Sequence, residues 1–320
     1  MRVLIQPTPT SPHLHLIDCP IPSPNPNANE HLIRVHCTAP TAGELLWSTM
    51  VAVPDKQPVP CSDMAGTVVS APPDSPFQAG DEVYARTSFS RPGAAREYTI
   101  ALTEELAHRP KGLSWAEAAS IPLCAETAWQ ALFEQAGVGD FHSPVWKGKR
   151  VLVTGASGGT GNWVVQLGKI VGAEVIGTCG SKNVDFVRGL GAAEAIDYRK
   201  QSLREWTDAT EKKVDVVIDC VGGKTLEDAW WCVANDGVVV SICHPPEEHR
   251  PVHLLYDGIK EVFFIMKPDG STLQKITKLV EEGKCWPVVD SVWSLQQFQE
   301  AFDRVGGGHA RGKVIMDLTI

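Results

Sequence analysis

The sequence contains no apolar run near the roughly 18 residues that a membrane-crossing helix requires. It has no basic surplus either: 29 Lys and Arg stand against 38 Asp and Glu, a net charge of −9. The first absence excludes a helical membrane span. The second argues against nucleic acid as the main partner, because phosphate recognition needs a basic face. The nine cysteines, Cys19, Cys37, Cys61, Cys124, Cys179, Cys220, Cys232, Cys243 and Cys285, stand singly with no C-x-x-C pair. A disulfide framework or a structural zinc knuckle needs an even or clustered set, so reduced and mostly buried thiols are expected. The opening Met1-Arg2-Val3-Leu4-Ile5 enters a strand-like pattern at once, without a secretory apolar core or an Arg-rich transit segment. These absences lead to the expectation of a soluble, cytoplasmic protein.

What is present is the pattern of a globular chain too long for one core. At 320 residues, 43% of them hydrophobic, about two domains are expected. Residues 1–100 read as mainly β, with short runs at 2–6, 31–37, 66–70, 82–86 and 97–100 between Pro- and Gly-rich turns. Residues 7–26 carry seven prolines and are expected to be extended, not a central strand. Ser114-Trp-Ala-Glu117 has the form of a capping box, and a further helix is expected over 125–136. From residue 150 the pattern alternates: strands at 150–154, 174–178, 214–220, 238–242 and 261–266, helices at 160–171 and 184–190. Apolar strands alternating with helices imply an α/β fold with a parallel sheet covered on both faces. A helix at 271–282, a strand at 288–293, a helix at 295–305 and a strand at 313–318 then resemble the β-rich N-terminal part again. The first domain is therefore expected to be discontinuous, residues 1–123 with 267–320, around an insert at 124–266.

The most informative segment runs from Arg150-Val-Leu-Val-Thr-Gly155 through Ala-Ser157-Gly158-Gly159-Thr160-Gly161. An apolar strand ends in a glycine-rich turn that opens a helix, which suits a dinucleotide pyrophosphate. Gly158 and Gly159 let the backbone approach, the helix N-terminus stabilises the anion, and Gly161 permits close helix–strand packing. NAD sites place Asp or Glu about 20 residues further on. Here Gly180-Ser181-Lys182-Asn183 stands there, with no carboxylate between positions 175 and 184. Such a segment leaves room for a 2′-phosphate, and Tyr198, with Arg199 and Lys200 beside it, completes the pocket. NADPH (NADP+) is favoured over NADH.

With these residues in hand, the chain resembles the medium-chain dehydrogenase/reductase superfamily, and within it the zinc-independent quinone oxidoreductase and enoyl reductase-like branch, particularly fungal members. The resemblance covers nearly the whole chain. Besides the glycine loop it rests on Pro60-Cys-Ser-Asp-Met-Ala-Gly66, Gly80-Asp-Glu-Val-Tyr84, Gly93-Ala-Ala-Arg-Glu-Tyr98, Ala118-Ala-Ser-Ile-Pro122 and Arg311-Gly-Lys313-Val. It implies a GroES-like β-rich catalytic domain, built from both chain ends, around a Rossmann doubly wound parallel-sheet domain. It also implies that Ser157, Gly158, Gly159 and Thr160 hold pyrophosphate, that Thr127 lies over the nicotinamide ribose side, Val221 along the adenosine–nicotinamide path, Phe263 and Phe264 beside the nicotinamide amide, and Lys313 near the cofactor.

Zinc enzymes of the superfamily hold the metal with a Cys, a His and a third ligand. By the same resemblance Thr41 stands in place of that Cys, Ser62 in place of that His, and Cys124 near the third position. Cys61 with Asp63, and Cys243 with His244, are the remaining metal possibilities, and no catalytic zinc is expected. Without it the expected reaction is hydride transfer from NADPH to an already electrophilic small molecule, a quinone or an α,β-unsaturated carbonyl. Thr41, Glu44, Trp47, Ser62, Tyr98 and His244 are the substrate-side candidates. Mitochondrial enoyl-thioester reductases of the superfamily use a tyrosine donor beyond the segment at 41–44, and residues 45–55 here contain none. Alternative readings are a trans-acting enoyl reductase partner of a polyketide synthase and a non-catalytic NADPH-binding protein. The apolar run 262–266 is a possible homodimer edge.

Overall fold

Alternating buried and exposed positions make Glu30–Ala39 the spine of a sheet. Ile33 and Val35 point inward while Arg34 points to solvent. A computed structural model describes residues 1–50, 53, 56–254 and 258–320. The chain divides into two units, residues 1–126 with 267–320, and residues 127–266. The division falls inside a helix, just beyond the expected boundary at 123/124.

The first unit opens with a two-stranded antiparallel pair, β1 (Arg2–Ile5) and β2 (His15–Asp18). β2 occupies the proline-free stretch between Pro12 and Pro20, where no ring removes an amide proton. β3 (Glu30–Ala39) follows, then α1 (Glu44–Met50), β4 (Asp63–Ser70), β5 (Glu82–Arg86), β6 (Tyr98–Leu102) and β7 (Ala107–His108). α2 (Trp115–Ala119) starts on the expected box, with the Ser114 hydroxyl accepting from the Glu117 amide. α3 (Pro122–Gln130) begins sooner than expected and runs into a π turn at Ala131–Gln135.

The second unit carries β8 (Arg150–Val153), α4 (Gly159–Ile170), β9 (Glu174–Cys179), α5 (Val184–Leu190), β10 (Glu194–Asp197), α6 (Leu203–Thr210), β11 (Val214–Asp219), α7 (Gly223–Ala229), β12 (Val233–Ser241) and β13 (Lys260–Phe263). Its six-stranded sheet runs β10-β9-β8-β11-β12-β13, parallel throughout. Strand order reverses between β8 and β11, so the carboxyl ends of those strands form the crevice where open α/β sheets take ligands. Trp206 and Trp230 are buried with Leu152, Ile176 and Val217 on one face. α6 and α7 were not anticipated, although Ser202-Leu-Arg-Glu205 is a capping box in the sequence.

The tail, α8 (Gly270–Glu281), β14 (Val289–Ser294), α9 (Phe298–Gly306) and β15 (Lys313–Asp317), returns to the first unit. Its sheet reads β14-β15-β3-β4-β5-β7, with β6 also on β3. Ile33, Val35, Met64, Val83 and Met316 fill the core beneath it, each contributing about 1.5–3 kcal/mol by leaving water. The register brings Thr38 opposite both Met316 and Met64. β15 and β4 thus flank β3 at the end where the candidate site lies.

Candidate active site

In the second unit, the turn after β8 is built for close approach. Gly155 has φ +64°, and a β-carbon on Gly161 would lie 2.2 Å from the Gly155 carbonyl oxygen. The N-cap of α4 is Gly158, and no side chain caps the first amides of this twelve-residue helix, an arrangement that suits an anion. Asn183 Nδ2 donates to Ser157 Oγ at 3.1 Å, joining the turns after β8 and β9. Beneath the crevice, buried Asp219 accepts from Thr154 Oγ1 at 2.7 Å, Ser241 Oγ at 2.8 Å and the Gly222 amide at 3.0 Å. One carboxylate therefore fixes the ends of β8, β11 and β12. Among the nicotinamide-side candidates, Val221 is exposed on that turn and Phe263 is exposed at the end of β13. Phe264 is half-buried and Thr127 is buried in α3. His244 packs on the Val221–Gly222 turn, its Nδ1 2.3 Å from where a Gly222 β-carbon would lie.

At the end of β9, a β-carbon on Gly180 would stand 3.3 Å from the Tyr198 hydroxyl and 3.8 Å from Arg199 Nε. A phenol and a guanidinium therefore close over a glycine. Ser181 opens the short turn that follows β9. Asp197, which sequence reasoning missed, is held below the usual carboxylate range by Ser181 first, then by the Arg199 amide and Lys200.

In the first unit, Lys313 lies on β15. Only 6% exposed, its Nζ lies 3.1 Å from Asp63 Oδ2 and donates to Thr41 Oγ1 at 3.0 Å and Pro40 O at 3.2 Å. Burial alone would lower its pKa. The Asp63 carboxylate, with Cys124 and Glu44 adding, more than reverses this, and the ammonium is held above its ordinary range. Asp63 is fully buried, and its other oxygen accepts from the Leu123 amide at 2.7 Å. Glu44 opens α1 and accepts from the Thr41 amide at 3.0 Å and the Cys61 amide at 3.1 Å. Its burial nevertheless pushes the carboxyl up to about 7. Cys61 is pushed well up by burial and by Glu44.

A cavity of about 210 Å³ adjoins this cluster. Glu44, Trp47, Lys56, Cys61, Ser62 and Phe89 are among its lining residues, and Trp47 meets Phe89 edge-on at 5.8 Å. Trp47 and Ser62 are thus brought together with Glu44, and Thr41 with Lys313. Tyr98 is not among them: it lines a separate hollow with Arg2, Arg34 and Glu97. Of the tyrosine-free stretch 45–55, residues 51, 52, 54 and 55 lie outside the described residues.

Zinc does not fit these side chains. Tetrahedral zinc needs deprotonated thiolate, neutral imidazole or carboxylate donors, and Thr41 and Ser62 offer hydroxyls. An ammonium already occupies the Asp63 carboxylate, and burial keeps the Cys61 proton on sulfur. Among the described residues no three His, Cys, Asp or Glu converge, at Cys61–Asp63, at Cys243–His244 or elsewhere.

A family model described as a zinc-binding dehydrogenase matches residues 190–316. The chain is 53% identical, over 90% of its length and 88% of the relative's, to a protein of Arthroderma benhamiae named probable zinc-binding oxidoreductase, mitochondrial. It is 33% identical to the Spinacia oleracea quinone-oxidoreductase homolog, chloroplastic, covering 91% of this chain and 90% of that one. Among solved structures, the quinone oxidoreductase from Coxiella burnetii superposes with a TM-score of 0.84 at 27% identity, over 99% of both chains. The first two names place those proteins in organelles, which overturns the expectation of a cytoplasmic protein. The chain belongs to the zinc-binding dehydrogenase family of the medium-chain dehydrogenase/reductase superfamily, among relatives named as quinone oxidoreductase homologues.

Proposed function

We propose that the protein is an NADPH-dependent oxidoreductase that works without zinc and reduces a quinone or an α,β-unsaturated carbonyl. The observation that carries the reading is the Lys313–Asp63 ion pair at 3.1 Å beside Thr41, where superfamily resemblance leads one to look for a metal. Alcohol oxidation needs a strong stabiliser for an alkoxide. Hydroxyl donors suffice for an acceptor whose π-system is already electron-poor.

NADPH, when bound, supplies the hydride. The first amides of α4 and the Ser157 hydroxyl hold pyrophosphate, with Asn183 orienting Ser157. Tyr198 and Arg199 meet the 2′-phosphate over Gly180, while Val221, Thr127, Phe263 and Phe264 position the nicotinamide half. On the substrate side, Trp47 and Phe89, set edge to face, form an apolar wall for a ring or enone, and Thr41 donates to its oxygen. Like the two curated relatives by name, the protein is read as organellar. The edge strand β13, with Phe263 exposed on it, is the surface offered for a homodimer.

The test follows NADPH absorbance with a quinone, an enone, an enoyl thioester and, in reverse, an alcohol with NADP+. Turnover with the quinone or enone, and none with the alcohol, is expected. Alcohol oxidation stimulated by zinc would overturn the reading.

A further inference from the structure

The Lys313 ammonium has three protons and three partners: Asp63 Oδ2 at 3.1 Å, Thr41 Oγ1 at 3.0 Å and Pro40 O at 3.2 Å. We propose that Lys313 is a positioning residue that locks the Thr41 hydroxyl as a hydrogen-bond donor toward the oxygen on which charge collects as the acceptor is reduced. This inference rests on the reductase reading and names the device that replaces a metal's charge.

The argument is one of donors and acceptors. An ammonium has no lone pair, so Thr41 Oγ1 accepts from Lys313, and the single Thr41 proton points elsewhere. Among the described residues no hydrogen bond takes up that proton, whereas the Thr38 hydroxyl nearby is spent on Asp63 O at 2.6 Å. Lys313 is buried and cannot reach a ligand. Thr41 is partly exposed and can. The surroundings also hold the pair rigid. Asp63 is fixed by the Leu123 amide, and the Thr41 backbone by Glu44 Oε1 at 3.0 Å. A preorganised donor polarised by a buried cation costs no reorganisation when charge develops. No proton leaves Lys313 or Thr41. The hydride leaves an anion on the acceptor, and water supplies the proton that completes the product.

A buried ion pair can also serve the fold alone, and removing Lys313 by itself leaves Asp63 uncompensated. The test therefore uses Thr41→Val, Thr41→Ser, the paired Lys313→Met/Asp63→Asn, and the triple variant of that pair with Thr41→Val. Expected is a fall in kcat of at least about tenfold for Thr41→Val, with NADPH affinity unchanged and activity restored in Thr41→Ser. The paired variant should fall by no more than a similar factor, since it frees the Thr41 hydroxyl without removing it, and the triple variant should fall no further than Thr41→Val alone. Undiminished kcat in Thr41→Val, or losses that multiply in the triple variant, would overturn the proposal. A readout free of turnover is the affinity for 4-nitrophenolate, followed by its absorbance. It should weaken in Thr41→Val and in the paired variant alike, and unchanged binding in either would overturn the proposal. Wild-type protein that consumes no acceptor but loses phenolate affinity in both variants would sink the reductase reading and leave the Lys313–Thr41 device standing.

Discussion

The Tyr198 hydroxyl stands 3.3 Å from the point where a β-carbon on Gly180 would lie, with Arg199 Nε 3.8 Å from the same point. A side chain at 180 would therefore enter the space that these two groups enclose. Gly180→Asp should weaken NADPH binding by at least about tenfold, because a carboxylate there repels the 2′-phosphate. NADH binding should change much less. Arg199→Ala should shift the ratio the same way. Fluorescence titration with both nucleotides decides the matter. Equal losses for the two would remove this pocket from cofactor selection.

Glu44 gives the first unit a pH dependence. Its carboxyl is pushed up to about 7 by burial, against lowering by the Thr41 amide, Lys313 and the Cys61 amide, and with Asp63 adding to the rise. Unfolded, the same group releases its proton near its ordinary value. Between the two pKa values the folded state binds more protons. The stability linked to Glu44 is therefore complete below the unfolded value and is lost as pH rises through about 7. The loss is on the order of 3 kcal/mol. Lys56, which lines the same cavity and is lowered to about 8 by burial, titrates above this window. Glu44→Gln should flatten the fall in unfolding free energy between acid and mildly alkaline buffer, measured by urea denaturation. An identical pH trend in the variant would show that the loss arises elsewhere.

Much of the second unit was legible because its signals are local. The apolar runs that became β8, β9 and β11 and the glycine turn each act within a few residues. α6 and α7 were harder: each is short, and α7 starts from Gly222 with no capping side chain. The candidate site was legible in its residue types and not in their partners. Lys313 and Asp63 are distant in sequence, and only the placement of β15 beside β3, with β4 on its other side, brings them together. Ser181 and Asp197 belong to the turn after β9 and to β10, so the lowering of that carboxyl by Ser181 likewise depends on the order of the sheet.

Removal of metal should do nothing. Dialysis against EDTA should leave NADPH oxidation and the thermal midpoint as they were, and elemental analysis should find below about 0.1 equivalent of zinc. The physical reason is that an ammonium and a dication would compete for the same Asp63 carboxylate, with hydroxyls where sulfur and imidazole are needed. Stoichiometric zinc, with activity lost on chelation and restored on readdition, would mean that Lys313 leaves Asp63 in solution.

Asp219 offers the sharpest test of how the second unit builds its crevice. Its carboxylate accepts from Thr154 on the strand-end of β8, from Ser241 on β12 and from the Gly222 amide. Asp219→Leu leaves those three donors buried without an acceptor, each costing about 1–3 kcal/mol. Asp219→Asn keeps one acceptor oxygen and introduces two protons that face donors. Both should lower the thermal midpoint, Leu more than Asn. NADPH affinity should fall in both because the turns carrying Ser157 and Val221 lose their common anchor. The first unit's cavity, lined by Trp47 and Phe89, should be untouched, so tryptophan fluorescence quenching by a bound quinone provides the control. A folded Asp219→Leu protein with wild-type NADPH affinity would show that the crevice holds its shape without this carboxylate.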